Sequence, residues 1–146
     1  MAADSTVTDV AHVIQLSIAP VFLLTALGTL LSVLSTRLAR IVDRGRVLHD
    51  RLPGRAGPEQ ERMRGELRVL RRRRHYVNVA ITFGVSAALL VCLLIATAFV
   101  GSILRANVSI AVALLFVLAM CAMVGALVTF LREIFLAVST TDVEDA

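Results

Sequence analysis

Three uncharged apolar runs, at residues 13–36, 77–104 and 106–131, constrain this chain more than anything else in it. Each exceeds the ~20 residues that an α-helix needs to cross a hydrocarbon core of ~30 Å. Lipid offers no partner to a bare peptide group, so each run has to close its own hydrogen bonds as a helix. Composition agrees: 58% of the 146 residues are hydrophobic and 18% are charged, against ~45–50% apolar in ordinary soluble domains. A body this small buries only part of its surface, which excludes an ordinary soluble enzyme. The expected fold class is an all-α integral membrane protein with three transmembrane helices. Arg105 and Asn107 mark the turn between the second and third.

Charge sets the orientation. All 15 basic residues are Arg, and 13 of them lie between residues 37 and 75, against five acids there. The excess of positive charge in the first connection puts residues 37–76 in the cytoplasm. Residues 1–12 then form a short periplasmic N-terminus, and residues 132–146 an acidic cytoplasmic tail. The implied location is a bacterial inner membrane, multi-pass, with the N-terminus outside. Met1 to Asp9 lacks the basic start of a secretory signal, so the N-terminus is expected to be mature.

The Arg-rich connection is patterned. Leu38, Ile41, Gly45, Leu48 and Leu52 follow a 3-4-3-4 spacing, and Met63, Leu67, Leu70, Arg74 and Val77 follow 4-3-4-3. Such spacing suits helices packed along one seam. With the Pro53-to-Pro58 breaker between them, the stretches predict a basic cytoplasmic helical hairpin continuing the first and second spans. It would project about 24 Å beyond the bilayer at 1.5 Å per residue. Arg71, Arg72, Arg73 and Arg74 abut the second span, where they are expected to contact anionic lipid headgroups.

The first span is uneven around its circumference. Ser17, Thr25, Gly28, Thr29, Ser32, Ser35 and Thr36 share one arc, and Leu23, Leu24, Leu27, Leu30, Leu31, Leu34 and Leu38 the other. The hydroxyl arc suits either close packing against another helix or the lining of a watery path in a homo-oligomer. In the second case Thr25, Thr29, Ser32 and Thr36 line the path. Ile18 and Val21 form an apolar gate with Pro20 as hinge, and Arg37, Arg40, Asp43 and Arg44 surround the cytoplasmic mouth. Arg40 and Arg46 are each three residues from Asp43, a spacing that allows ion pairs along the helix. The alternative is a non-conducting scaffold or adaptor whose Arg-rich hairpin binds anionic lipid or a cytoplasmic partner.

Nothing points to catalysis. His12, His49 and His75 are far apart, and Cys92 and Cys121 sit in apolar runs as expected buried thiols. No metal set, cofactor motif or catalytic constellation is present in the sequence, so the chain reads as no enzyme. The Arg run lacks the interleaved aromatics of a nucleic-acid binder. Expected partners are the bilayer, anionic lipid and further copies of the chain.

The stretches from Ala19 to Leu24 and from Ser35 to Arg44, with Arg37-Leu38-Ala39-Arg40-Ile41-Val42-Asp43-Arg44 at their core, resemble a bacterial membrane-protein family known as domain of unknown function 2721. The resemblance covers nearly the whole chain. It implies that Pro20, Arg37, Arg40, Asp43 and Arg44 are shared features, and it implies no activity, substrate or partner.

Overall fold

The structure is a computed structural model that describes residues 2–52 and 57–141, with side chains at 14–15, 18–52 and 57–135. It contains three helices, α1 (Ala2–Arg51), α2 (Pro58–Leu104) and α3 (Ser109–Thr141), and no strand among the described residues. Helix α1 begins ahead of Thr6, where a Thr6-to-Asp9 capping box suggests a start. A capping preference does not stop a helix that good formers upstream can extend. Pro20 lies inside α1 without ending it. At the other boundary α3 runs beyond Leu131 to Thr141, so Arg132 and Glu133, at the start of the expected acidic tail, are helical. Residues 142–146 of that tail lie outside the described residues.

Local chemistry starts and stops the helices. At the head of α2, Gly57 has φ +78°, and its carbonyl accepts from the Gln60 and Glu61 amides at 3.1 and 3.4 Å. Pro58 takes the first helical position, where no donor is needed. Glu59 and Glu61 stand by the positive end of the helix. Pro53 to Ala56, the rest of the expected breaker, lie outside the described residues. Helix α2 ends with the Ala106 amide donating to the Gly101 carbonyl at 3.0 Å and the Arg105 amide to Ser102 at 3.4 Å. Arg105 carries the left-handed φ of 50° that this two-bond ending requires. Asn107 Oδ1 then accepts from the Ser109 amide at 3.4 Å and caps α3.

Burial follows a seven-residue interval. In α1 the buried described positions are Pro20, Leu27, Leu34, Ile41 and Leu48. In α3 they are Ala119, Ala126 and Glu133. Helix α2 buries a double line, with Val77, Gly84 and Val91 in one row and Ala80, Ala87, Leu94 and Gly101 in the other. A repeat of seven returns a side chain to nearly the same side of a helix, so that one seam stays covered. Gly and Ala dominate the α2 and α3 lines, and small side chains let helix backbones approach.

Each of two compact units takes a segment from every helix: residues 1–30 with 83–124, and residues 31–82 with 125–146. Outside the buried lines the surface is oily. Phe22, Ile103 and Ile110 are each more than 70% exposed. The most apolar stretches of the three helices are only 17%, 28% and 11% buried. Water would not tolerate that much uncovered hydrocarbon on a chain this small, and three helices are long and apolar enough to cross a membrane. The chain is a multi-pass membrane protein by design. Cys92 and Cys121 are exposed on this apolar surface, because neither falls on a seven-residue line.

Gly101 has tighter surroundings than Gly28, Gly45, Gly57 and Gly65. A Cβ built there would overlap the Val108 side chain, whose branched carbons have little rotamer freedom to yield. Gly101→Ala should therefore destabilise the fold by about 1–3 kcal/mol. Gly28→Ala, with nothing within 4 Å of the new carbon, should not. Thermal unfolding of the detergent-solubilised protein, followed by circular dichroism, checks the contrast.

Candidate functional site

One charged side chain interrupts the buried lines. Glu133 is the α3 position seven residues after Ala126, and its exposure is 0%. A lone carboxylate in that setting would cost several kcal/mol, and two guanidiniums meet it. Arg37 Nη1 donates to Glu133 Oε2 at 2.9 Å. Arg73 donates to Oε1 from Nε at 3.2 Å and from Nη2 at 2.9 Å. The Arg37 guanidinium also stands over the Phe130 ring, 5.1 Å from its centroid, an arrangement attractive to a cation. Both arginines keep part of their length exposed, 39% and 26% of the side chain, so their stems cover apolar surface while their heads reach the acid. One carboxylate thus ties all three helices at a single level and leaves one positive charge in excess.

A second cross-link continues the register. Arg44 Nε donates to Glu66 Oε1 at 2.8 Å. Seven residues along α1 from Arg37 to Arg44 correspond to seven back along α2 from Arg73 to Glu66, as an antiparallel pair requires. Both residues of this pair are substantially exposed, so it contributes little stability on its own.

The same pair of helix segments encloses a groove of about 740 Å³. Its floor includes Ile41, Gly45 and Leu70, and Arg46, Arg71 and Arg74 stand around it. His49 and Asp50 lie along α1 at its far end. Arg46 is nine residues from Arg37, which is half a turn in helical phase. Arg37, Arg73 and Glu133 are not among the residues that line the groove.

The sequence-derived site residues divide accordingly. Thr25, Thr29, Ser32, Ser35 and Thr36 are exposed along α1, with Ile18 and Val21 exposed above them. Three of the hydroxyls bond back within the helix: Thr25 to the Val21 carbonyl at 3.3 Å, Thr29 to Thr25 at 3.1 Å and Thr36 to Ser32 at 3.0 Å. Pro20 parts company with Ile18 and Val21, because it falls on the buried line. Ser17 and His12 have side chains outside the described residues. Arg37 turns to Glu133 and Arg44 to Glu66, whereas Arg40 and Asp43 stay exposed. The expected pairing of Asp43 with Arg40 or Arg46 is not among the ion pairs of the described residues.

The Arg quartet divides too. Arg73 serves Glu133, Arg71 and Arg74 line the groove, and Arg72 stands 6.0 Å from the centre of the Tyr76 ring. The seam position is Arg73, four residues before Val77, and not Arg74, which is exposed. Sequence reasoning missed Glu133 by ending the third span at Leu131. The Ala119–Ala126–Glu133 interval is the signal that would have found it.

Removing the acid leaves two cations facing each other without their partner. Glu133→Gln should destabilise the protein by about 3–5 kcal/mol. Arg37→Gln should cost less, because Arg73 still holds Oε1 with two donors. Equilibrium unfolding in mixed detergent, read by helical ellipticity, gives the order. Equal losses for the two variants would contradict this division of roles.

No curated protein and no solved structure matches the chain at a significant level. A family model does, and its match runs from residue 17 to residue 143, through all three helices and both arginine partners of Glu133. The chain belongs to the family of proteins of unknown function DUF2721.

Proposed function

We propose that this protein is a homo-oligomeric, non-enzymatic pore for small ions or solutes in a bacterial inner membrane, lined by the polar arc of α1. One observation carries the reading. The covered side of α1 is its line of Leu27, Leu34, Ile41 and Leu48, and its hydroxyl side is left exposed. Thr25, Ser32 and Thr36 lie within roughly 40° of diametrically opposite that line at 100° per residue. Three helices cannot enclose a path alone, so copies would arrange their α1 arcs around an axis. Ile18 and Val21 supply an apolar constriction, and Arg40 with Asp43 supplies charge at the mouth. In this reading the Arg-rich parts of α1 and α2 form a hairpin in the cytoplasm, by the positive-inside rule, with the N-terminus outside and the C-terminus inside.

A different observation favours a non-conducting scaffold. Thr25, Thr29 and Thr36 already donate to carbonyls of their own helix, so these three hydroxyls need neither water nor a neighbour to satisfy their donors. In that case the basic hairpin, binding anionic lipid or a cytoplasmic partner, carries the function.

Two measurements separate the readings. The purified oligomer in planar bilayers should conduct above lipid-only controls, and Thr29→Cys and Ser32→Cys should react rapidly with water-soluble thiol reagents. A silent bilayer together with thiols that do not react would remove the pore and leave the scaffold.

A further inference from the structure

We infer that the groove between α1 and α2 is a specific site for an anionic phospholipid headgroup, with the phosphate held by Arg46 and Arg71 and supported by Arg74. The inference rests on one part of the reading above, the placement of Arg71 and Arg74 at headgroup level. It does not rest on conduction.

Charge argues first. Three guanidiniums surround the groove against one carboxylate, Asp50, and none of the three belongs to an ion pair among the described residues. Arg37 and Arg73 meet Glu133, and Arg44 meets Glu66, and none of these residues lines the groove. Uncompensated guanidiniums around a concave surface suit phosphate oxygens, which they can grip with two parallel hydrogen bonds.

Position argues second. By the antiparallel register, Arg74 lies level with Thr36, the last residue of the first apolar run, and Arg71 lies level with Ala39. Arg46 stands about 10 Å further along the axis from Arg71, a gap that two long side chains can close on one phosphate. The groove thus starts where hydrocarbon ends. Its floor supplies what a free inorganic anion would not need: Ile41 and Leu70 offer apolar surface to the glycerol and ester region. Gly45 leaves the space open, with nothing within 4 Å of where a Cβ would stand.

A groove site and a diffuse positive surface predict different outcomes, and Gly45 separates them. The full-length protein is reconstituted in phosphatidylcholine containing spin-labelled phosphatidylglycerol or spin-labelled phosphatidylcholine, and the motionally restricted fraction of each probe is measured. The wild type should retain phosphatidylglycerol in preference to phosphatidylcholine. Arg46→Gln/Arg71→Gln should lower that preference by roughly thirtyfold, from about 1 kcal/mol for each of the two cations. Gly45→Phe fills the groove without altering charge and should lose the preference as well. Arg68→Gln/Arg72→Gln removes as much charge at similar depth, from exposed positions outside the groove, and should keep it.

Equal losses in the two Arg pairs, with Gly45→Phe unaffected, would overturn the site in favour of diffuse attraction. No preference in the wild type, or a groove closed by a second copy and shown by Gly45→Cys cross-linking between chains, would overturn it too. Helical ellipticity of each variant confirms folding, and Gly45→Phe and the Arg pair test the site independently of each other. Both leaflets carry the probe, so the result depends neither on membrane orientation nor on whether the protein conducts.

Discussion

The seven-residue interval of burial is the constraint on which the rest of this structure depends. Inside a bilayer the apolar effect no longer drives helices together, because lipid tails are as oily as Leu. What remains is close contact, and close contact along helices needs a pattern that keeps one phase. Leu27, Leu34, Ile41 and Leu48 keep that phase along α1, and Ala119, Ala126 and Glu133 keep it along α3. Helix α2 carries two buried rows where its neighbours show one, as expected of the helix that packs against both others. The Leu line is bulky and the Ala lines are slim, so facing volumes complement one another.

Glu133 shows what the interval imposes. A carboxylate on a buried line has to be met by cations at its own level, and that requirement fixes the axial register of α1 and α2 with respect to α3. An apolar seam tolerates a slip of one heptad, because Leu against Ala looks much the same seven residues away. An ion cluster does not tolerate it, since a slip would strand the acid. The cluster is therefore better understood as a device for register than as a source of net stability, the use for which buried polar groups in coiled helices are best attested. Its place at the end of the apolar runs suits that role, because half-exposed Arg37 and Arg73 can keep contact with the polar boundary while they bond the acid.

The helices, their number and the turn at Arg105 were legible in the sequence, because uncharged runs longer than a bilayer is thick admit one local structure. Which side of α1 is covered was not legible, because a Leu arc suits lipid as well as a neighbouring helix and a hydroxyl arc suits close packing. The long-range partners were not legible either. Nothing local ties Arg73 to Glu133, sixty residues away, and within a run of four Arg every face of the helix is basic, so composition cannot say which one turns inward. A stripe of Met63, Leu67, Leu70, Arg74 and Val77 favours Arg74. Helix α2 instead continues the rows of its membrane part, from Ala80 through Val77 to Arg73. The tightly packed span sets the phase, and the polar extension follows it. At α3 the charges of Arg132 and Glu133 mark the end of the apolar run but not the end of the helix, which continues to Thr141.

The exclusive use of Arg also acquires a physical reading. At Glu133 the geometry asks for several donors in a plane: Arg73 presents Nε and Nη2 together to Oε1, and Arg37 bonds Oε2 while its flat face rests over Phe130. An ammonium group has no planar fork and no face to stack. A Lys in place of Arg73 would keep the charge and lose the two-pronged contact, and a Lys in place of Arg37 would have to choose between the acid and the ring. For two cations half sunk between three helices, the planar fork and the stacked face hold the acid in one geometry, and with it the register along which the remaining side chains are arranged.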